Sequence, residues 1–366
     1  MVIELKGRID STNALDEEKR ILRLIEENTE ESISFDASGL NYISSAGLRV
    51  LMKAKKRTNN LQITDVSPEI YDIFETTGFT QLFNVRKKYR EISVDGCEVI
   101  GKGFYGTVYR IDEDTVVKKY NSPEALSIIE NEKKLAKLAF VAGIPTAISF
   151  DIVKIGDTYG SVFEMLKAKT FNDLIRENPS DADNIIKKYT DLIKQVHSTE
   201  LPAGTLPSCK QKYIQKLQNI ENMLSIELYK KLSDFLNSLP EDDHLIHGDL
   251  QMKNIMLSDN EPMLIDMDTL SQGIPLFDIV GIYVAYIVFE EDEPGNNMKF
   301  FGIPYEMAKR IWAGVFKNCC REEDFDKVKL MAYINFLDMH RNPSPDDELS
   351  AIRIRHSIEH LEELLH

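Results

Sequence analysis

Apolar residues recur along this chain in two different periods, and the texture changes twice. In residues 1–93, short apolar runs with strand character (VIEL, SISFD, LQITDV) alternate with segments whose apolar residues fall at helical spacing (ALDEEKRILRLIEE, SSAGLRVLMKAKKRT, PEIYDIFETTG). The second helical segment opens on hydroxyl residues suited to a cap. The third has Pro68 near its start and Gly78 past its end. Strands alternating with helices predict a small α/β sandwich.

From Glu91 the pattern becomes β-rich, with Gly and acidic turns, through REISVDGCEVIGKGFYGTVYRIDEDTVVKKY. A helix follows, capped by Ser122 and closed by Gly143, and then a strand, YGSVFEML. From Thr170 onward nearly everything reads as helix. The exception is two short apolar runs inside HLIHGDLQMKNIMLSDNEPMLIDMD, residues 244–268. These shifts predict three segments, 1–93, 94–168 and 169–366, of mixed α/β and α+β class, with no repeat and no low-complexity linker. The apolar stretch IPLFDIVGIYVAYIVF is interrupted by Asp278 and is shorter than a membrane span needs, so it reads as a buried helix.

The 366 residues are 43% hydrophobic and 28% charged, which suits a globular protein with sizeable cores. A net charge of −16 leaves no basic excess for nucleic acid. The opening MVIELKGRID has no export pattern, so a soluble cytoplasmic protein without a membrane partner is expected. Cys97, Cys209, Cys319 and Cys320 lack metal-ligand spacing, and the adjacent pair reads as helix residues in a reducing compartment. The acidic run at 290–293 reads as a solvated helix end.

GKGFYGTV supplies Gly101, Gly103 and Gly106. The loop runs into a strand, TVYRI, not a helix, and so does not suit a dinucleotide fold. It is either a lid whose backbone approaches phosphates or a tight hairpin needing positive φ. Lys118 ends the next strand and Glu132 sits mid-helix. Together they are either an anchored phosphate-binding lysine or a surface ion pair.

Asp249, Asn254 and Asp266 lie among apolar residues in 244–268. They are either turn residues or the parts phosphoryl transfer asks for. Asp249 would take the hydroxyl proton, while Asn254 and Asp266 would give Mg²⁺ the oxygen ligands it prefers. Asp268 is either a further acid or a turn residue, and His247 reads as a holder of the loop.

GKGFYGTV, Lys118, Glu132, HGDLQMKN and IDMD occur in the order and rough spacing of the protein-kinase-like fold. The form HGD resembles the aminoglycoside phosphotransferase and choline kinase branch, over about residues 96–366. The resemblance implies a β-rich lobe and a mainly helical lobe binding ATP and Mg²⁺. Asp249 matches the catalytic aspartate, Asn254 and Asp266 the metal ligands, and Lys118 with Glu132 the phosphate-binding pair. FEML falls at the hinge, so the backbone of Glu164 and Leu166 would meet adenine. The chain departs from protein kinases in two ways. No long activation segment follows Asp266, which favours a small-molecule hydroxyl acceptor. Gln251 stands where protein kinases carry lysine.

SISFDASGLNYISSAGLRVLMKA with ITDVSPEIYDIFETTGFTQLF resembles a STAS domain, the anti-sigma-factor-antagonist module, over residues 1–90. In that family a serine just before the Gly at the helix start accepts phosphate. Here Ala46 precedes Gly47, leaving Ser45 and Ser44 as substitutes or merely as caps. A protein partner would then dock on this domain. Three functions follow: a small-molecule phosphotransferase regulated or docked through the STAS domain, a non-catalytic pseudokinase–STAS signalling protein, or a kinase acting on Ser44 or Ser45.

Overall fold

The computed structural model describes residues 1–27, 32–58, 61–103, 105–166, 168–344 and 346–366. The chain divides into two compact units, residues 1–95 with 152–159, and residues 96–151 with 160–366.

In the first unit, β1 (Val2–Ile9), β2 (Ile33–Ile43), β3 (Leu61–Val66) and β4 (Asn84–Lys87) form a parallel sheet in that order. Phe35 lies opposite Ile3 on one side and Ile63 on the other, and all three are buried. Helices α1 (Ala14–Glu26), α2 (Ser45–Lys55) and α3 (Pro68–Thr76) and the helical turn α4 (Phe79–Leu82) complete the alternation. The cap of α2 is Ser44, whose hydroxyl accepts from the Ala46 N–H at 3.2 Å. Ser67 caps α3 through the Ile70 N–H, and Pro68 follows in the first turn, where no N–H is needed. A Cβ on Gly47 would lie 2.6 Å from the Ile9 carbonyl, so glycine lets α2 press onto β1. β5 (Arg90–Glu91) pairs with β9 (Asp151–Ile155), Arg90 facing Val153 and Glu91 facing Lys154.

The second unit begins with β6 (Glu98–Lys102), β7 (Gly106–Arg110) and β8 (Thr115–Tyr120), then α5 (Leu126–Val141) and β10 (Thr158–Glu164). These strands are antiparallel in the order β10-β8-β7-β6. Ser122 caps a 3₁₀ turn that leads into α5, and Gly143, at φ +89°, lies just past its end.

The rest is mainly helical around one apolar core. The stretch expected as a single buried helix is three pieces: an α-helix Leu276–Tyr283, a π-helical segment Val284–Val288, and an α-helical turn Phe289–Asp292. A π-segment shifts the register of the face it presents. Here Tyr286 lies within it, and its hydroxyl accepts the N–H of Met252 at 3.2 Å.

Residues 290–293 end a helical turn, but each of the four side chains has a partner. Glu290 accepts from the N–H groups of Gly295 at 2.6 Å and Asn297 at 2.8 Å. Glu291 accepts from Tyr333, Asp292 meets His356, and Glu293 pairs with Arg353 at 2.8 Å. The run binds the last helix, Glu348–Leu364, into the fold. Cys209 is buried, and burial pushes its thiol up to about 12. Cys319 ends the helix Tyr305–Cys319. Among the described residues no helix is long and apolar enough to cross a membrane.

Candidate active site

The loop carrying Asp249 is built by its apolar neighbours. Leu250, Met252, Ile255, Leu264, Met267 and Leu270 are each at most 2% exposed. All six belong to the apolar core, whereas Asp249 and Asp266 stay partly exposed and Asn254 is buried beside Asp249. The strand Leu245–Ile246 pairs with Ser271–Gln272, and Ile255–Ser258 pairs with Glu261–Leu264. These two small pairings fix both ends of the loop.

Its backbone is gripped from behind. Asp278, 1% exposed, accepts the N–H of His247 at 3.0 Å and of Gly248 at 2.6 Å, and faces His197 Nε2 at 3.0 Å. Burial would raise this carboxyl, but these hydrogen bonds and the charge of His197 hold it below its ordinary value. Gly248, at φ +87°, passes so close to Thr269 that a Cβ would meet it at 3.0 Å. The Thr269 hydroxyl donates to the His247 carbonyl at 2.6 Å, and the Tyr189 hydroxyl to the carbonyl of Leu250. The Nδ1 of buried His247 accepts the Asp249 N–H at 3.2 Å, so this histidine does hold the loop.

Asp249 is half-buried and presents its carboxylate to two amides. Asn254 Nδ2 donates to Oδ2 at 2.7 Å and to the Asp249 carbonyl at 3.0 Å. Gln251 Nε2 reaches both carboxylate oxygens at 3.0 Å. With its nitrogen committed to Asp249, Asn254 has a side-chain oxygen that no donor among the described residues takes up.

Asp266 leaves the strand Glu261–Leu264 in the left-handed region, φ 58°, a strained conformation for a residue with a side chain. Its Oδ1 is 2.6 Å from Lys118 Nζ, and Lys118 is 3.3 Å from Glu132 Oε1. The Lys118 and Glu132 side chains are only 19% and 10% exposed, which excludes a surface ion pair. Tyr120 donates its hydroxyl to the other Glu132 oxygen. Burial alone would push the Lys118 ammonium down, but Glu132 and Asp266 outweigh it and hold it above its ordinary value. Burial raises Glu132 against the opposing pull of Lys118. Burial, with the charge of Asp266, raises Asp268, and Asp249 adds to this, so the acids of the loop share one electrostatic environment.

Gly101, Gly103 and Gly106 line the β6–β7 hairpin, and none has positive φ. The Gly103 N–H donates to the Gly106 carbonyl at 2.8 Å. Gly106 is required for a different reason: a Cβ there would lie 2.3 Å from the carbonyl oxygen of Lys119. Glu164 ends β10 opposite Thr115, Leu166 follows outside any strand, and between them the Met165 N–H donates to Asp114 at 2.7 Å. Ser45 opens α2 and is exposed, while Ser44 is engaged as its cap.

The structure thus joins Lys118, Glu132 and Asp266 in one cluster and Asp249 with Asn254 in another. Asp278, Thr269 and Tyr286 carry the loop without having been singled out from sequence. The one available signal was a carboxylate in the middle of an apolar run.

Asp249 with an amide neighbour, and a buried lysine tied to a helix carboxylate and a turn aspartate, define a phosphotransferase of the protein-kinase-like fold. The chain belongs to the phosphotransferase enzyme family, whose model matches residues 96–302, and its residues 1–92 match the STAS domain. Residues of the chain are 32% identical over 85 positions to the Bordetella bronchiseptica protein named "Putative anti-sigma factor antagonist BtrV". That match covers 22% of this chain and 72% of the relative. Among solved structures, a thermostable mutant of the aminoglycoside phosphotransferase APH(4)-Ia superposes with a TM-score of 0.52 at 10% identity, covering 80% of this chain and 97% of its own. ADP-bound APH(2'')-Ib does so with a TM-score of 0.52 at 14% identity, covering 81% and 99%. At these identities the likeness concerns the fold.

Proposed function

We propose that this chain transfers the γ-phosphoryl group of ATP to a hydroxyl of a small molecule, in a reaction that needs Mg²⁺. The observation that carries the reading is the half-buried Asp249 carboxylate held by Gln251 and Asn254, with Asn254 bonded through its backbone carbonyl to the N–H of Ile265, the residue before the Asp266 that pairs with Lys118 of β8. Asp249 takes the proton as the acceptor oxygen bonds to the γ-phosphorus, the bond from that phosphorus to the β-phosphate oxygen breaks, and ADP leaves. Lys118, anchored by Glu132, faces the phosphates. The backbone of Gly101, Gly103 and Gly106 covers them, and that of Glu164 and Leu166 meets the adenine.

Two oxygen groups fit a Mg²⁺ whose other ligands are phosphates and water: the spare Asn254 oxygen and the Asp266 carboxylate, whose side chain is 45% exposed. Mg²⁺ bound there would neutralise charge on the transferring phosphoryl group. Only nine residues separate Asp266 from the helix at Leu276, which leaves no room for a protein-kinase activation segment and favours a small acceptor. The STAS domain serves as the docking module for a protein partner, with exposed Ser45 as its phosphoacceptor candidate.

Calorimetric titration of MgATP into the nucleotide-free protein tests this reading. Binding is expected, weakening without Mg²⁺ and in Asp266→Ala. A folded protein that binds no MgATP overturns it.

A further inference from the structure

The helix Cys209–Asn219 carries Lys212, Lys216 and Asn219, four and three residues apart and so along one side. Lys212 Nζ donates to the carbonyl of Thr269 at 3.3 Å. Thr269 donates in turn to the carbonyl of His247, two residues before Asp249. The Lys212 ammonium is thus two hydrogen bonds from the backbone that positions Asp249. One helical turn on, Lys216 rests its ammonium on the side-chain oxygen of Asn335, 5.2 Å from the centre of the Tyr213 ring.

Both lysines are half-buried, and the partners just named are neutral. Among the described residues neither has a carboxylate within ion-pair distance. The acid in the group is Asp338, whose Oδ1 already accepts from Arg341 at 2.6 Å and Asn219 at 3.0 Å. That carboxylate is therefore already engaged by Arg341, and Lys216 makes no direct bond to it. Lys210, on the same helix, differs: it lies 3.5 Å from Glu241 and donates to two carbonyls. In a chain of net charge −16, two neighbouring ammoniums without an acid of their own stand out. Burial pushes Lys216 below its ordinary value, and Lys212 and Arg341 add to the push while Asp338 opposes it. A desolvated ammonium with a neutral partner is short of compensation, and an anion supplies it.

The phosphate-binding lysine of the nucleotide side is Lys118, on β8. Lys212 and Lys216 lie instead on the helix Cys209–Asn219, and Lys212 reaches the Asp249 loop through Thr269. We propose that the acceptor carries an anionic group, a carboxylate or a phosphate, which is seated on Lys212 and Lys216 and brings its hydroxyl to Asp249. The role of the hydroxyl rests on the phosphotransferase reading above; the anion rests on the lysine pair alone. Such a site repels polycationic aminoglycosides.

Lysine acylation kinetics, read residue by residue by mass spectrometry on the full chain saturated with MgADP, test the proposal. The probes are inorganic phosphate, D-glycerate and kanamycin. Phosphate or glycerate is expected to slow Lys212 and Lys216 together and saturably, about fivefold at about four times the half-saturating concentration. Lys210 should keep its rate. Protection by phosphate alone points to a phosphorylated acceptor, and by glycerate to a hydroxy acid. Saturable protection by kanamycin, or none by either anion, overturns the proposal. Lys118 is the separate control: its protection by MgADP reports the nucleotide site, so failure there and failure at the lysine pair are told apart.

Discussion

Lys118 Nζ stands 2.6 Å from Asp266 Oδ1, closer than the 3.3 Å that separates it from Glu132. The two residues are 148 positions apart in sequence. One ammonium therefore ties the strand β8, the helix α5 and the turn at Asp266 together. Phosphates entering the site would meet a lysine held from two sides, and under the proposed reading Glu132 would remain its holder if Asp266 were to bind Mg²⁺.

Glu132→Gln should accordingly weaken MgATP binding by about tenfold, the loss of one charge-assisted hydrogen bond to a part-buried lysine. Titration calorimetry measures it. An unchanged affinity would show that Asp266 alone positions Lys118.

Asp249→Asn keeps the shape of the loop residue and removes the proposed proton acceptor. Turnover of any hydroxyl compound the wild type phosphorylates should fall by about 10²–10⁴-fold, with MgATP affinity nearly unaltered. Retention of wild-type turnover would remove Asp249 from the chemistry.

Asp278→Ala removes a fully buried carboxylate and leaves three groups without it: the N–H groups of His247 and Gly248, and the His197 ring. A cost of about 3–5 kcal/mol is expected. Urea unfolding gives the value, and a loss below about 1 kcal/mol would mean the loop finds its hydrogen bonds elsewhere.

Gly106→Ala places a methyl group 2.3 Å from a backbone carbonyl that no side-chain motion can clear. The β7–β8 pairing must open locally, at about 1–3 kcal/mol. Thermal unfolding and MgATP titration should both register it, whereas Gly101→Ala, with only Val108 side-chain atoms at 3.7 Å, should be much milder in stability.

Burial pushes Glu291 up to about 7 from an ordinary 4.5, against the Tyr333 hydrogen bond. Between those values the folded chain keeps a proton that the unfolded chain releases. Stability contributed by this residue therefore falls as pH rises from 4.5 to about 7, and stays lower above. The side chain is partly solvated, which limits the effect to about 1 kcal/mol. Glu291→Gln keeps an acceptor for Tyr333 and carries no charge. It should raise the melting temperature near about pH 8 and flatten the slope below it. Equal slopes in both proteins would place the ionised carboxylate in solvent.

The local pattern of the sequence determined the elements. Period-2 and period-3.6 runs, Ser44 and Ser67 ahead of helices, and Gly78 and Gly143 behind them act within a few residues, where a side chain and its own backbone settle the conformation. The motif residues Lys118, Glu132, Asp249, Asn254 and Asp266 were legible for the same reason: their types and order are local. Their partners were not. That Lys118 reaches Asp266, that Asp278 holds the backbone of Gly248, and that among the described residues Lys212 and Lys216 lack an ion-pair partner while Glu290 to Glu293 each find a partner are matters of distance between elements far apart in the chain. The same acidic run that reads as solvated by composition is tied into the fold by packing. The π-segment at Val284–Val288 follows from the same cause, because core contacts, not the helical propensity of the run, choose its register. A charge is assigned by its residue type, but whether it is solvated, paired or left waiting for a ligand depends on which elements the hydrophobic core brings beside it.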